Sequence, residues 1–349
     1  MSATPATVAE PGPFERLTTL VSEDLRAVSA LIRERMSSRH APRIPEISAH
    51  LIEAGGKRLR PILTLAAAGL CDYRGQDHIK LAATVEFIHT ATLLHDDVVD
   101  ESAKRRGRAT ANILWDNKSS VLVGDYLFAR AFRLMVETGS LRVLDILSEA
   151  SAVIAEGEVL QLTTAHDLAT DNARYEQVIR GKTAALFAAA AEAGGVIAGA
   201  PDAEAAALRD YGDALGMAFQ LADDWLDYGG SSDALGKNTG DDFREGKVTR
   251  PVIEAMAAAR AAEDAEQIAF WQRTVGDGRH GEGDLARALR QTGLTPEAAK
   301  PMLNQLLRFG VVVQRGVTQN VEAPKAPLES KVISLRFDLI NAAALTARL

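Results

Sequence analysis

Two acidic clusters of the same form stand far apart in this chain, and they constrain where its helices end and what those ends face. Asp96, Asp97 and Asp100 make the run DDVVD; Asp223, Asp224 and Asp227 make DDWLD. Residues four apart share a helix face, so Asp96 pairs with Asp100 and Asp223 with Asp227. Apolar sequence precedes each cluster, which places both at the C-terminal ends of long helices. Carboxylates there meet a mild like-charge penalty from the helix dipole, and a bound cation removes it. A cation held by few carboxylates keeps positions open for water or substrate phosphates. Two such clusters facing each other across a cavity clamp a diphosphate between metal ions, the apparatus for ionising a carbon–diphosphate bond. One cluster alone reads as a solvated helix end. Two of identical spacing favour the metal.

The rest of the chain supplies helices. Hydrophobic residues make up 47% of the 349 residues and aromatics only 5%, so the core is aliphatic. Alanine is abundant, no alternating β-branched runs stand out, and the fold class reads as all-α. Helical spacing predicts segments over 14–36, a short one ending at Gly55-Gly56, one opened by Pro61, then 77–100, 119–137, 141–166, 172–198 and 203–228. Residues 37–45, the run KRRGRAT and residues 229–246 read as loops, and helices resume near Thr249. Residues 1–13 read as a disordered tail and 14–349 as a single all-helical domain.

A net charge of -8 argues against nucleic-acid binding. The lone Cys71 forms no internal disulfide and reads as a small core residue in a reducing compartment. Neither a signal peptide nor a membrane-spanning stretch stands out, so a cytoplasmic protein is expected.

A diphosphate also needs fixed positive charge. Lys57, Arg58 and Arg60 follow the Gly55-Gly56 turn. Arg105 and Arg106 lie just past the first cluster, in a loop able to fold back toward it. Lys182 sits in GKTAALF, and Lys237 and Lys247 bracket the loop after the second cluster. Each alone reads equally as surface charge. His89 lies two turns before Asp96 on the same face, and the residues alone leave it as a phosphate donor or a core histidine. His95 points to another face and reads as structural. Gln220, three residues before Asp223, reads as a polar liner.

The segments GGKRLRP, IHTATLLHDDVVDESAKRRGRATAN, GDYLFARAF, EGEVLQL, GKTAALF, FQLADDWLDY and GKNTGDDFREGK resemble the trans-isoprenyl diphosphate synthases, most of all long-chain polyprenyl synthases of the octaprenyl to decaprenyl type. The resemblance spans about residues 45–255; residues after about 290 match the family poorly, and family members often close the basic site with C-terminal basic residues, for which Arg348 is the candidate here. It implies an isoprenoid synthase-type helical bundle around a deep central cavity, usually a homodimer. It implies about three Mg2+ ions on Asp96, Asp100 and Asp223, with Asp97, Asp224 and Asp227 in support. It assigns isopentenyl diphosphate to Lys57, Arg60, His89 and Arg106, and the allylic diphosphate to Arg105, Lys182, Thr183, Gln220, Lys237 and Lys247. It implies that the released diphosphate acts as the base and that the product, a quinone side-chain precursor, passes to membrane enzymes. The small residues Ala91 and Thr92, below the first cluster, leave room for a long chain, whereas shorter-chain relatives carry a bulky residue at one of these two positions.

Competing readings are a shorter-chain (farnesyl or geranylgeranyl) synthase, a class I terpene cyclase, a non-catalytic partner subunit and a purely structural bundle. A cyclase would carry an Asn/Asp–Ser/Thr–Glu motif in place of DDWLD. A non-catalytic subunit should have lost a cluster, and a structural bundle leaves the paired clusters unexplained.

Overall fold

The computed structural model describes residues 13–53, 55–105, 107–229 and 240–292. Helices dominate: α1 (Pro13–Leu20), α2 (Ser22–Met36), α3 (Arg43–Glu53), α4 (Leu59–Leu70), α5 (Asp77–Val99), α6 (Ala111–Leu114), α7 (Asn117–Glu137) and α8 (Leu141–Thr164) come first. Then follow α9 (Asn172–Ile179), a π turn (Arg180–Ala184), α10 (Ala185–Ile197), α11 (Asp202–Gly229), α12 (Asp241–Arg244), α13 (Arg250–Ala261), α14 (Ala265–Trp271) and α15 (Asp284–Gln291). Among the described residues the strands are two-residue pieces, β1 (Lys104–Arg105) and β2 (Arg108–Ala109), paired antiparallel with Lys104 opposite Ala109. The all-α expectation holds.

Local chemistry sets the helix starts. Asp116, Ser140 and Asp171 accept hydrogen bonds from the backbone N–H of Ser119, Val143 and Arg174, capping α7, α8 and α9. α5 is buried on most of its circumference, from Leu81 through Phe87 and Ile88 to Leu94, as befits a central helix.

Several expected boundaries differ, and the loops expected at KRRGRAT and over 229–246 contain the β1–β2 pair and α12. The helix expected over 14–36 bends at Val21 and becomes two. Thr18 and Thr19 donate their hydroxyls to the carbonyls of Phe14 and Glu15, at 2.8 and 2.7 Å, and such back-bonding bends helices. α3 begins at Arg43, inside the expected loop, because Pro45 falls in its first turn, where a missing N–H removes nothing. The helix expected over 172–198 carries the π turn in its middle. The N-terminal tail, the C-terminal segment from 293 and most of the loop expected over 229–246 lie outside the described residues.

Two apolar cores form. The first gathers α1–α5, α7, α8 and α10 around Phe87, Ile88 and Phe187. The second gathers Tyr175, Ile179, Met217, Leu221, Phe243, Val252 and Trp271 from α9, α11, α12, α13 and α14. Where they meet, a cavity of about 850 Å³ is lined from both.

The π turn owes its position to two glycines. A Cβ on Gly157 of α8 would lie 2.5 Å from the Lys182 backbone nitrogen, and one on Gly181 would lie 2.9 Å from the Gly157 Cα. Backbone therefore touches backbone, and Lys182 is carried to the cavity wall. Gly157→Ala is expected to destabilise the fold by about 1–3 kcal/mol, since the overlap is with backbone and outweighs the gain in helix propensity. Gly69→Ala in α4, with no atom within 4 Å of its added Cβ, is the control. Urea unfolding of both variants checks this: only Gly157→Ala should lower the midpoint.

Candidate active site

Both acidic clusters line the same cavity: Asp96 and Asp100 from the end of α5, and Asp223, Asp224 and Asp227 from the end of α11. Within each cluster the protein already engages particular carboxylates. Asp97 is fully buried and accepts from Arg105 Nε at 2.7 Å, while its carbonyl accepts from Asn112 Nδ2 at 3.1 Å. Asp224 accepts from Tyr175 Oη and Gln220 Nε2, both at 2.6 Å. Asp227 Oδ1 accepts from the backbone N–H of Gly240 and Asp241, and Oδ2 from that of Asp242, all at 3.1 Å. Asp227 thus anchors the start of α12.

Basic side chains surround these acids. The β1–β2 hairpin folds the chain back and brings Arg105 onto Asp97. Lys182 Nζ donates to Glu158 Oε2 at 2.8 Å and Gln161 Oε1 at 2.7 Å. Lys247 Nζ lies 3.2 Å from Asp100 Oδ2 and also pairs with Glu245. Lys57, Arg60 and His89 line the same cavity. Arg60 Nη1 donates to His89 Nε2 at 3.2 Å, and the Arg60 guanidinium lies 4.3 Å from the Phe187 ring centroid. Thr183 Oγ1 donates to Gln220 Oε1 at 2.6 Å.

Some expected placements change. Gln220 lines the cavity as expected and donates to Asp224, one turn on. Ala91 is fully buried in the first core and does not line the cavity, whereas Thr92 does. His95 turns away onto α7, with Nε2 3.1 Å from the Val121 carbonyl, as its position on the helix predicts. Arg106, Lys237 and Arg348 lie outside the described residues. Sequence reasoning did not assign Glu158, Gln161, Tyr175 or Asp242. The first two lie in the quoted run EGEVLQL, spaced i, i+3, which was the available signal; Tyr175 gave none.

The cavity is short of positive charge. Burial pushes the Asp96 carboxyl up to about 7, with Lys182 and Arg105 opposing and Glu158 and Asp100 adding to the rise. Burial also lifts Asp224 and Asp227 to about 6, against the hydrogen bonds each accepts. Asp242 rises well above its usual value through burial, then through Asp224 and Asp227. Burial opposes the Lys247 charge, yet Asp100, Asp242 and Glu245 together hold its pKa above the ordinary value. All-oxygen donors on two facing helices, with charge left uncompensated, fit a hard divalent cation such as Mg2+.

An all-helical bundle whose central cavity sets two acidic clusters among basic side chains defines a class: proteins that handle a diphosphate. Comparison with known proteins narrows it. The polyprenyl synthetase family model matches residues 41–291. The chain is 48% identical over 270 residues to octaprenyl diphosphate synthase of Escherichia coli, covering 76% of this chain and 82% of that one. Its fold matches the crystal structure of a decaprenyl diphosphate synthase from Rhodobacter capsulatus with a TM-score of 0.81 and 57% identity, covering 96% and 99% of the two chains. It also matches a polyprenyl synthase from Caulobacter crescentus complexed with calcium and isoprenyl diphosphate, with a TM-score of 0.83 and 47% identity over 97% and 99%. The chain belongs to the polyprenyl synthetase family.

The raised carboxyls predict a pH dependence for the metal-free protein. In the unfolded chain an Asp titrates near 3.8, whereas folded Asp96 titrates at about 7. Between these values the unfolded state binds fewer protons, so stability falls as pH rises from about 4 to 7. Urea midpoints across that range should show this slope without metal and a flatter one with Mg2+ and inorganic diphosphate. A metal-free midpoint that climbs through the range would contradict the assignment.

Proposed function

We propose that this chain is a Mg2+-dependent trans-polyprenyl diphosphate synthase that adds isopentenyl diphosphate units head-to-tail to an allylic diphosphate primer. The product class proposed is octaprenyl to decaprenyl diphosphate. The observation that carries the reading is a single cavity holding both acidic clusters together with Lys57, Arg60, His89, Arg105, Lys182 and Lys247.

Each group has a task that its position supports. Asp96, Asp100 and Asp223 would hold Mg2+, which when bound would supply electrostatic stabilisation of the departing diphosphate. No three carboxylates, histidines or cysteines among the described residues form a metal cage by themselves. Mg2+ bound there would need water and substrate phosphate oxygens as further ligands. Arg105, Lys182 and Lys247 bind the allylic diphosphate near the clusters, and Lys57, Arg60 and His89 bind isopentenyl diphosphate toward α4. Arg106 and Lys237 belong to the same two sets by family resemblance. The apolar walls from Leu93, Val178, Phe187 and Phe219 keep water from the allylic cation.

The enzyme acts as a homodimer. α7 and α8 expose Leu122, Phe132, Val136, Val159 and Leu162, an apolar display suited to a second copy. No helix among the described residues is long and apolar enough to cross a membrane. The reading places the enzyme in the cytoplasm, passing its product to membrane enzymes that build a quinone side chain.

Two predictions test the reading. Asp96→Ala and Asp223→Ala should each lower turnover with isopentenyl and farnesyl diphosphates by about a thousandfold or more, while circular dichroism stays helical. Near-normal rates in either variant at saturating Mg2+ would overturn it. Thr92→Phe should shorten the product, because Thr92 lies on the cavity wall roughly 6 Å below Asp96 along the helix axis. Ala91→Phe should instead lower stability, since its site is packed core. Chromatography of the products and thermal melts distinguish the two outcomes.

A further inference from the structure

Tyr175 has no assigned role, yet its phenol reaches the second acidic cluster. The residue sits on α9 with 3% of its surface exposed, and its Oη donates to Asp224 Oδ2 at 2.6 Å. The other Asp224 oxygen accepts from Gln220 Nε2 at 2.6 Å. Gln220 Oε1 in turn accepts from Thr183 Oγ1 at 2.6 Å. A chain of hydrogen bonds, buried at its Tyr175 end, therefore runs from α9, through α11, to the π turn. Its last member follows Lys182, which is itself held by Glu158 and Gln161 of α8.

This chain fixes how α11 is rotated about its axis. Asp223 and Asp224 are neighbours, so their side chains leave the helix about 100° apart. Two neighbouring elements hold α11 from outside, Tyr175 of α9 at Asp224 and Thr183 of the π turn at Gln220, and together they set the direction of Asp223 into the cavity. We propose that Tyr175 is a positioning residue for the second acidic cluster, acting through Asp224 to hold Asp223 where it meets a cation and a diphosphate. The inference rests on the proposed function for the identity of those ligands.

Tyr175→Phe removes the hydroxyl and keeps the ring in the second core, which also contains Ile179 and Met217. Losing a hydrogen bond to a buried carboxylate is expected to weaken Mg2+ uptake in the presence of inorganic diphosphate by about tenfold or more, measured by isothermal titration calorimetry. The Mg2+ concentration needed for half-maximal condensation should rise in parallel, while the KM for isopentenyl diphosphate, bound near α4, should change by less than about twofold. A ring with a merely structural role would change the melting temperature and leave the Mg2+ affinity alone, which would overturn the proposal.

Asp224→Ala removes the same link from the other side, since it deletes both acceptor oxygens. Combined with Tyr175→Phe it should be no worse than Asp224→Ala alone, because one link is being removed twice. Additive losses of Mg2+ affinity would also overturn the proposal, and if Tyr175→Phe does not fold, unaltered Mg2+ affinity in Asp224→Ala would do so. Calorimetry needs no turnover. A wild-type chain that binds Mg2+ and diphosphate but makes no prenyl product would sink the proposed function, and the Tyr175 comparison would still stand or fall by the titrations. A wild-type chain that takes up no Mg2+ with diphosphate would overturn both.

Discussion

Like charge held out of water is the constraint on which the rest of this structure depends. Six aspartates sit at the ends of two long helices, and five of them line the cavity between those helices. Such a concentration is unfavourable unless each carboxylate finds hydrogen bonds or a positive partner. The surrounding elements can be read as answers to that problem. The β1–β2 hairpin brings Arg105 to Asp97, α9 brings Tyr175 to Asp224, and α12 starts with three N–H groups aimed at Asp227. Lys247 comes from beyond α12 to Asp100, joining the elements that carry the two clusters.

These arrangements divide labour within each DDxxD run. Asp97, Asp224 and Asp227 are tied by protein groups, so they anchor the cluster to its surroundings. Asp96 and Asp100 line the cavity beside lysines, Asp96 within the field of Lys182 and Asp100 in contact with Lys247. Burial lifts the Asp96 carboxyl to about 7 even against the opposing charges of Lys182 and Arg105. A site built this way is preorganised: its protein framework is fixed by hydrogen bonds, and its unmet charge is directed at an incoming ligand.

The sequence made some of this legible and hid the rest for physical reasons. Apolar periodicity, the Gly55-Gly56 stop and Pro61 marked the helices, because those signals are local. The bend at Val21 depends on hydroxyls bonding back along the helix, a competition that hydrophobic spacing does not report. The two acidic runs identified the cavity ends, and the resemblance gathered the basic residues around them. Which carboxylate meets which donor was not legible. Tyr175 and Asp224 are 49 residues apart, and a contact at that separation leaves no spacing pattern in one sequence. Asp227 is engaged by backbone N–H groups, which every residue but proline carries, so composition cannot mark them. Thr92 and Ala91 are adjacent and both small, and only the rotation of α5 separates cavity wall from core.

The central claim is that the two clusters act as one cation site rather than as two separate acidic surfaces. Mn2+, bound in place of Mg2+ together with inorganic diphosphate, tests it directly by electron paramagnetic resonance. The account predicts dipolar-coupled Mn2+ ions in the wild-type protein, and loss of that coupling in Asp96→Ala and in Asp223→Ala alike. Magnetically isolated ions, or coupling that survives the loss of either carboxylate, would contradict it.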